Sequence, residues 1–175
     1  LDKGYDGLDI TASELTSHSM GYAGAYPDGV NTGATMLRIG GVQVAVLAYS
    51  YGLSDEGRKR TRDDSRGVVA MMESQRVVRD ITQARVDGAN LVVVLPHWGT
   101  KNSAQTPDTV HDMARTMAQA GADVILGTHP NVAQGIERLQ TVRSDGLTYE
   151  TVVCYSLGCL LTDARDSENT AGMAV

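Results

Sequence analysis

Residues 88–99 read GANLVVVLPHWG and residues 121–131 read GADVILGTHPN. The two stretches follow one plan. A glycine ends a helical pattern, Asn90 or Asp123 stands two positions on, an aliphatic run follows, and a histidine sits just past it. The run Leu91-Val92-Val93-Val94-Leu95 shows no polar alternation, the pattern of a strand covered on both faces. A helix leading into a buried strand, twice in succession, predicts an α/β fold with a parallel sheet. Ligands of such sheets bind at the carboxyl ends of the strands, so His97 and His129 are expected to converge there. Imidazole is the commonest protein ligand for Zn, Mn or Fe at a hydrolytic centre. The spacing alone equally allows two buried, hydrogen-bonded histidines with no metal.

Working outward, the helix before Asn90 is expected from about Val68 to Val86, with Val77, Val78, Ile81 and Ala84 as its apolar stripe and Gly88 as its stop. Thr106-Pro107-Asp108 predicts the start of the next helix, with a Thr cap, Pro in the first turn and an early acid. Its stripe is Val110, Met113, Ala114 and Met117, and Gly121 closes it. Upstream, Gly7 to Met20 reads as a helix with Leu8, Ala12 and Leu15 on one face. Strands Thr35–Ile39 and Val42–Ser50 are joined by Gly40-Gly41, a hairpin signal. The stretch from Tyr51 to Gly67 is polar, charged and aperiodic, and is expected to be a mobile loop. Downstream, Val132–Leu139 and Thr148–Tyr155 are expected to pair around Ser144-Asp145-Gly146. The tail beyond Asp163 is polar and expected to fray. Residues 1–175 are read as a single domain.

The bulk numbers set limits. With 175 residues and 42% hydrophobic content, the chain can build one real core. Phe is absent, so Val, Leu, Ile, Met and Ala must fill it. The net charge of −6 argues against nucleic acid as a partner. The basic run Arg58-Lys59-Arg60 with Arg62 is answered by Asp63 and Asp64 and reads as a solvated loop. No stretch reaches the ~18 apolar residues of a membrane span, and no signal peptide is visible. The chain does not begin with Met and reads as a fragment or processed form. Cys154 and Cys159 are expected to be free and partly buried. The Gly21–Gly33 region lacks the Gly-Lys-Ser/Thr of a phosphate-binding loop, which argues against ATP binding there.

Four stretches carry a resemblance: Val94 to Gly99; Ala120 to Val132 (AGADVILGTHPNV), with Gln134 and Glu137 after it; Cys154 to Asp163 (CYSLGCLLTD); and Val44 to Gly52 (VAVLAYSYG). In order and spacing they resemble the CapA (PgsA-like) proteins of bacterial poly-γ-glutamate capsule production, over nearly the whole chain. That family is similar to calcineurin-like metallophosphatases. The resemblance implies a β-sandwich flanked by helices, here without its N-terminal part, and a dinuclear metal site in the family's best-conserved branches. His97 matches the histidine of the family's His-Trp-Gly motif and His129 the first histidine of its His-Pro-His motif. Asp2 and Gly4 look like the tail of an upstream Asn-Asn-His segment. Three positions depart from the pattern. Asn131 replaces the second histidine of His-Pro-His, and amide oxygen binds borderline ions less well than imidazole. Lys101 replaces an acid, which would repel a metal or hold an anionic substrate. Cys159 replaces an asparagine.

The resemblance implies a divalent-metal site (Mn, Zn or Fe) with His97, His129 and Asn131 as ligands. Trp98, Gly99, Lys101, Ser156 and Gly158 are expected around the pocket. Glu137 either orients His129 or faces solvent, and Trp98 either stacks on a substrate or caps the sheet edge. Tyr155-Ser156-Leu157-Gly158 lacks the first glycine of a nucleophile elbow, so Ser156 is expected to line the pocket rather than attack. His111 is expected at the surface, and His18 at a helix end with no chemistry. Two functions follow as expectations. One is metal-dependent hydrolysis of a phosphoester, or of an amide or ester in the polymer pathway. The other is a non-catalytic cell-surface component that binds or guides an anionic polymer during capsule assembly or export. Both imply capsule-synthesis machinery as a partner, on the extracellular face of the cell envelope and membrane-associated in the full-length protein. Sheet edges left open by missing strands imply a homodimer.

Overall fold

The repeated Gly-Ala-Asn and Gly-Ala-Asp starts turn out to be clamps that set strand register. In the computed structural model, which describes residues 3–30, 33–61, 67–143, 145–159 and 172–173, Asn90 Oδ1 accepts the Gln43 N–H at 2.9 Å while the Asn90 N–H donates to Gln43 O at 2.8 Å. Asp123 repeats the arrangement one strand over. Its Oδ2 accepts the Val92 N–H at 2.8 Å and its N–H donates to Val92 O at 2.9 Å. A short Asx side chain thus satisfies a backbone donor at each sheet bottom, and the two strands that lead to His97 and His129 enter the sheet in fixed register.

The elements run α1 (Gly4–Ser17), β1 (Ala25–Tyr26), β2 (Thr35–Ile39), β3 (Val42–Ser50), α2 (Asp55–Thr61), β4 (Val68–Val69), α3 (Ser74–Val86), β5 (Leu91–His97), α4 (Asp108–Ala120), β6 (Val124–Leu126), β7 (Ile136–Val142) and β8 (Thr148–Cys154). The main sheet has the order β2-β3-β5-β6-β8-β7, and β1 pairs with β4 separately. β3, β5, β6 and β8 are parallel neighbours, while the edge pairs β2/β3 and β7/β8 are antiparallel. The sheet is mixed, with a parallel centre, and the hairpin at Gly40-Gly41 is formed as expected.

Helices α3 and α4 cover one face. Val92, Val94 and Ile125 meet Val77, Ile81, Ala114 and Met117 there, all fully buried. Each of these side chains larger than alanine contributes about 1.5–3 kcal/mol. β5 alternates between buried and half-buried positions, so it is not sealed equally on both faces. Its even-numbered residues face the helices.

Several boundaries differ from expectation. α1 begins at Gly4, three residues early, and adds Tyr5 to the Leu8-Ala12-Leu15 face. α3 begins only at Ser74, because the β-branched pair Val68-Val69 joins β1 instead. Val78 is exposed, and Asp80 takes the buried place, where Tyr49 donates to its Oδ2 at 3.3 Å. Thr106 does not cap α4. Pro107 holds that position without a side-chain cap, and the Thr106 hydroxyl instead donates to Gln134 Oε1.

The expected loop after Tyr51 contains α2. It has no apolar stripe, and local polar bonds hold it. Ser54 Oγ accepts the Gly57 N–H at 3.0 Å, Arg58 pairs with Asp55, and Arg60 Nε reaches Glu56 at 2.9 Å. Acids in its first turn and bases in its last suit the helix dipole. The basic run is therefore answered by Asp55 and Glu56. Arg62, Asp63, Asp64, Asp2, Ser144 and the motif's last residues 160–163 lie outside the described residues, as does most of the tail. Cys154 is buried and Cys159 half-buried, both as free thiols. Among the described residues no helix is long and apolar enough to cross a membrane.

Candidate functional site

β5 and β6 end side by side, and the backbone holds those ends together. His97 and Thr128 form a parallel bridge, the Thr128 N–H donates to Pro96 O at 2.9 Å, and the Trp98 N–H donates to Thr128 O at 3.1 Å. The two histidine rings come to 4.6 Å between centroids, with planes at 58°. Sequence-distant imidazoles thus meet at the carboxyl edge of the sheet, where a parallel topology places ligand sites.

The chain bends sharply to reach this arrangement. His129 has φ 101° and Asn131 φ 63°, both non-glycine residues in the left-handed region. Such conformations cost about 1–3 kcal/mol and persist where surrounding structure holds them. Pro130 between them is fully buried and accepts the Asn102 N–H at 2.7 Å. Gly127 admits the close approach. A Cβ there would stand 2.0 Å from Tyr155 O and 2.5 Å from Trp98 Nε1.

Both histidines hold their pKa below the ordinary 6.5. For His97 the first cause is burial and the second is repulsion by His129. For His129 burial comes first and the Lys101 charge second. Both rings are therefore neutral at pH 7, each with a lone pair available. Thr128 Oγ1 lies 3.3 Å from Pro96 O, to which it donates, and 3.4 Å from His97 Nδ1. The hydroxyl has one proton; while it donates to Pro96 O it accepts toward His97, which leaves the His97 lone pair on Nε2.

Tyr51, at the end of β3, is the residue the sequence reading passed over. Its hydroxyl lies 3.3 Å from His129 Nε2, and its ring stacks near His97 at 6.0 Å and tilts onto His129 at 4.9 Å. The available signal was positional, because Tyr51 follows the strand adjacent to β5. The β3/β5 register pairs Ser50 with His97.

The other expected residues separate. Gly99 turns at φ 83° beside Pro130 and lines a cavity of about 410 Å³ with Tyr51, Met72, Thr100, Pro107 and Met113. Lys101 is exposed and close enough to His129 to repel its proton. Trp98 lines the same cavity from within the core. It is 1% exposed, and its Nε1–H donates to Tyr155 O at 2.8 Å. Ser156 is fully buried, with its hydroxyl accepting the Gly158 N–H at 3.2 Å. Gly158 turns at φ 73° and bridges Gly172.

Glu137 does not support His129. It accepts the Tyr155 hydroxyl at 2.5 Å, and that hydroxyl lies 2.8 Å from His111 Nδ1. His111 is thus half-buried in a Glu–Tyr–His chain that ties α4 to β7 and β8, rather than a surface residue. Burial, then the Glu137 bond, pushes the Tyr155 hydroxyl pKa far up. His18 is exposed at the end of α1, as expected.

In kind, the donors at the strand ends suit a borderline divalent ion, since neutral imidazole favours Zn, Mn and Fe. In number they are two imidazoles, with the Asn131 amide two residues on. Among the described residues no group of three or more His, Cys, Asp or Glu is placed to hold a metal. A catalytic zinc site takes three protein ligands, so this pair supplies part of a ligand set.

Comparison with known proteins finds relatives over most of the chain. The chain is 28% identical over 165 residues to the PGA biosynthesis protein CapA of Bacillus subtilis (strain 168), covering 93% of this chain and 40% of that protein. It is 27% identical over 168 residues to the capsule biosynthesis protein CapA of Bacillus anthracis, covering 93% of this chain and 38% of that protein. The chain therefore spans about 40% of the length of these relatives. The helix-flanked mixed sheet is that of a metallophosphatase-like family. The model of the family described as bacterial capsule synthesis protein PGA_cap matches residues 1–164, taking in His97 and His129, and the chain belongs to that family.

Proposed function

We propose that the chain works in the synthesis of a poly-γ-glutamate capsule at the bacterial cell envelope, and that His97 and His129 are two ligands of a divalent-metal hydrolytic site. The observation that carries this reading is the meeting of two neutral imidazoles, 4.6 Å apart, at the carboxyl ends of parallel strands. A bound Mn, Zn or Fe ion would supply a water made acidic enough to ionise near neutral pH. The chain's own residues do the rest. Thr128 would favour the His97 tautomer with its lone pair on Nε2, and Asn131, two residues after His129, would offer an amide oxygen. Lys101 sets a positive charge beside the site, suited to a phosphoester or a carboxylate polymer. Remaining ligands come from residues beyond this set.

Metal analysis of the intact protein tests this reading. Bound Mn, Zn or Fe, with hydrolysis of a phosphoester lost in His97→Ala, supports it. No metal, with activity unchanged in His97→Ala, overturns it.

Lys101 also favours a second reading, in which the fold binds or guides an anionic polymer without cleaving it. Its charge stands against His129 and opposes a cation there. Metal-dependent turnover of a generic phosphoester would exclude that reading. In either case capsule-synthesis machinery is the proposed partner. The outer strand β2, with Ile39 60% exposed, is the proposed edge for pairing with a second copy. A monomer by light scattering would count against that pairing.

A further inference from the structure

We propose that Tyr51 and a divalent cation compete for one lone pair, that on Nε2 of His129, so that Tyr51 is a positioning residue that holds His129 ready and is displaced when the ion arrives. This rests on the reading of the histidine pair as a cation site.

The geometry is specific. The Tyr51 main chain is fixed, because its N–H donates to His97 O at 3.0 Å and the preceding Ser50 N–H donates to Ala70 O at 2.9 Å. Its ring is thereby held near both imidazoles, with its plane 14° from that of His97. The hydroxyl meets His129 at Nε2, 3.3 Å away. A neutral imidazole carries one proton. If Tyr51 donates, the proton of His129 is on Nδ1 and the lone pair on Nε2. It is also the tautomer of His97 when the Thr128 hydroxyl donates to Pro96 O. Both rings then present Nε2, one open and one covered by Tyr51.

The cover is built to move. At 3.3 Å the contact is longer than a good hydrogen bond. The Tyr51 side chain is on a residue 53% exposed and can swing toward solvent. His129 is less exposed than Tyr51, and its backbone is anchored at φ 101° beside the buried Pro130. A cation that binds Nε2 therefore breaks the tyrosine contact and leaves the imidazole in place.

Two measurements on the intact, metal-stripped protein and its Tyr51→Phe variant test the proposal. Nitrogen NMR of the His129 ring is expected to show the proton on Nδ1 in the wild type and a shift toward Nε2 in Tyr51→Phe. Titration with Co²⁺, followed by its visible absorption, is expected to show about three- to tenfold tighter binding in Tyr51→Phe, the effect of removing one competing hydrogen bond. Equal or weaker Co²⁺ binding in the variant overturns the competition, weaker binding marking the phenol as a ligand. A wild-type proton on Nε2 overturns it alone and leaves the metal reading standing. Absence of Co²⁺ binding in both proteins overturns it together with the metal reading.

Discussion

The imidazoles of His97 and His129 face one another at 4.6 Å because β5 and β6 end together, and each ring is kept neutral in part by a neighbouring positive charge or ring. This makes stability depend on pH with a definite sign. Both folded pKa values lie below the ordinary 6.5, so as pH falls the unfolded chain takes up protons first. The contribution is fully present above about pH 6.5 and is lost as pH falls through the depressed values. Urea midpoints are expected to drop between pH 7.5 and 5.5, and to drop less in His97→Gln than in the wild type. An equal drop in both proteins would contradict the coupling.

Gly127 tests the packing beneath the pair. A methyl group there would overlap the Tyr155 carbonyl and the Trp98 nitrogen. Gly127→Ala is expected to cost about 3 kcal/mol, at the upper end for overpacking. Chemical denaturation reads the loss, and a cost below about 1 kcal/mol would show that the strand end yields.

Trp98 separates a core role from a ligand role. Trp98→Phe leaves the Tyr155 carbonyl without its donor in a buried place. The expected loss is about 1–3 kcal/mol of stability, with Co²⁺ affinity unchanged. A large change in affinity at unchanged stability would give Trp98 a role in the site beyond packing.

Asp123 anchors β6 and also neutralises two arginines. Its carboxylate meets Arg85, Arg143 at 3.1 Å and the Val92 N–H. Asp123→Ala is expected to cost about 3–5 kcal/mol, because Arg143 would stay largely buried without its partner. The matching Asn90→Ala removes one neutral clamp and is expected to cost about 1 kcal/mol. Equal costs in the two variants would contradict the difference assigned to charge.

Much of this was legible in the sequence where one element carries its own signal. The aliphatic runs before His97 and His129, the stops at Gly88 and Gly121 and the Gly40-Gly41 hairpin all appear where expected. What escaped depends on contacts between elements or on polar bonding. α2 has no apolar face to betray it. The Glu137–Tyr155–His111 chain exists only because the strand order β6-β8-β7 brings β7 under α4. Tyr51 reads as the first residue of a loop until β3 is seen to lie beside β5. Val78 and Asp80 differ by two helical positions, and a stripe read one step off assigns the wrong residue to the core.

The most direct test of the central claim is isothermal titration of the intact, metal-stripped protein with Zn²⁺ at pH 7.5, beside His97→Ala and His129→Ala. Binding in the wild type is expected to weaken at least about tenfold in each variant, while both variants keep their fold. Zn²⁺ affinity unchanged in either variant would contradict it.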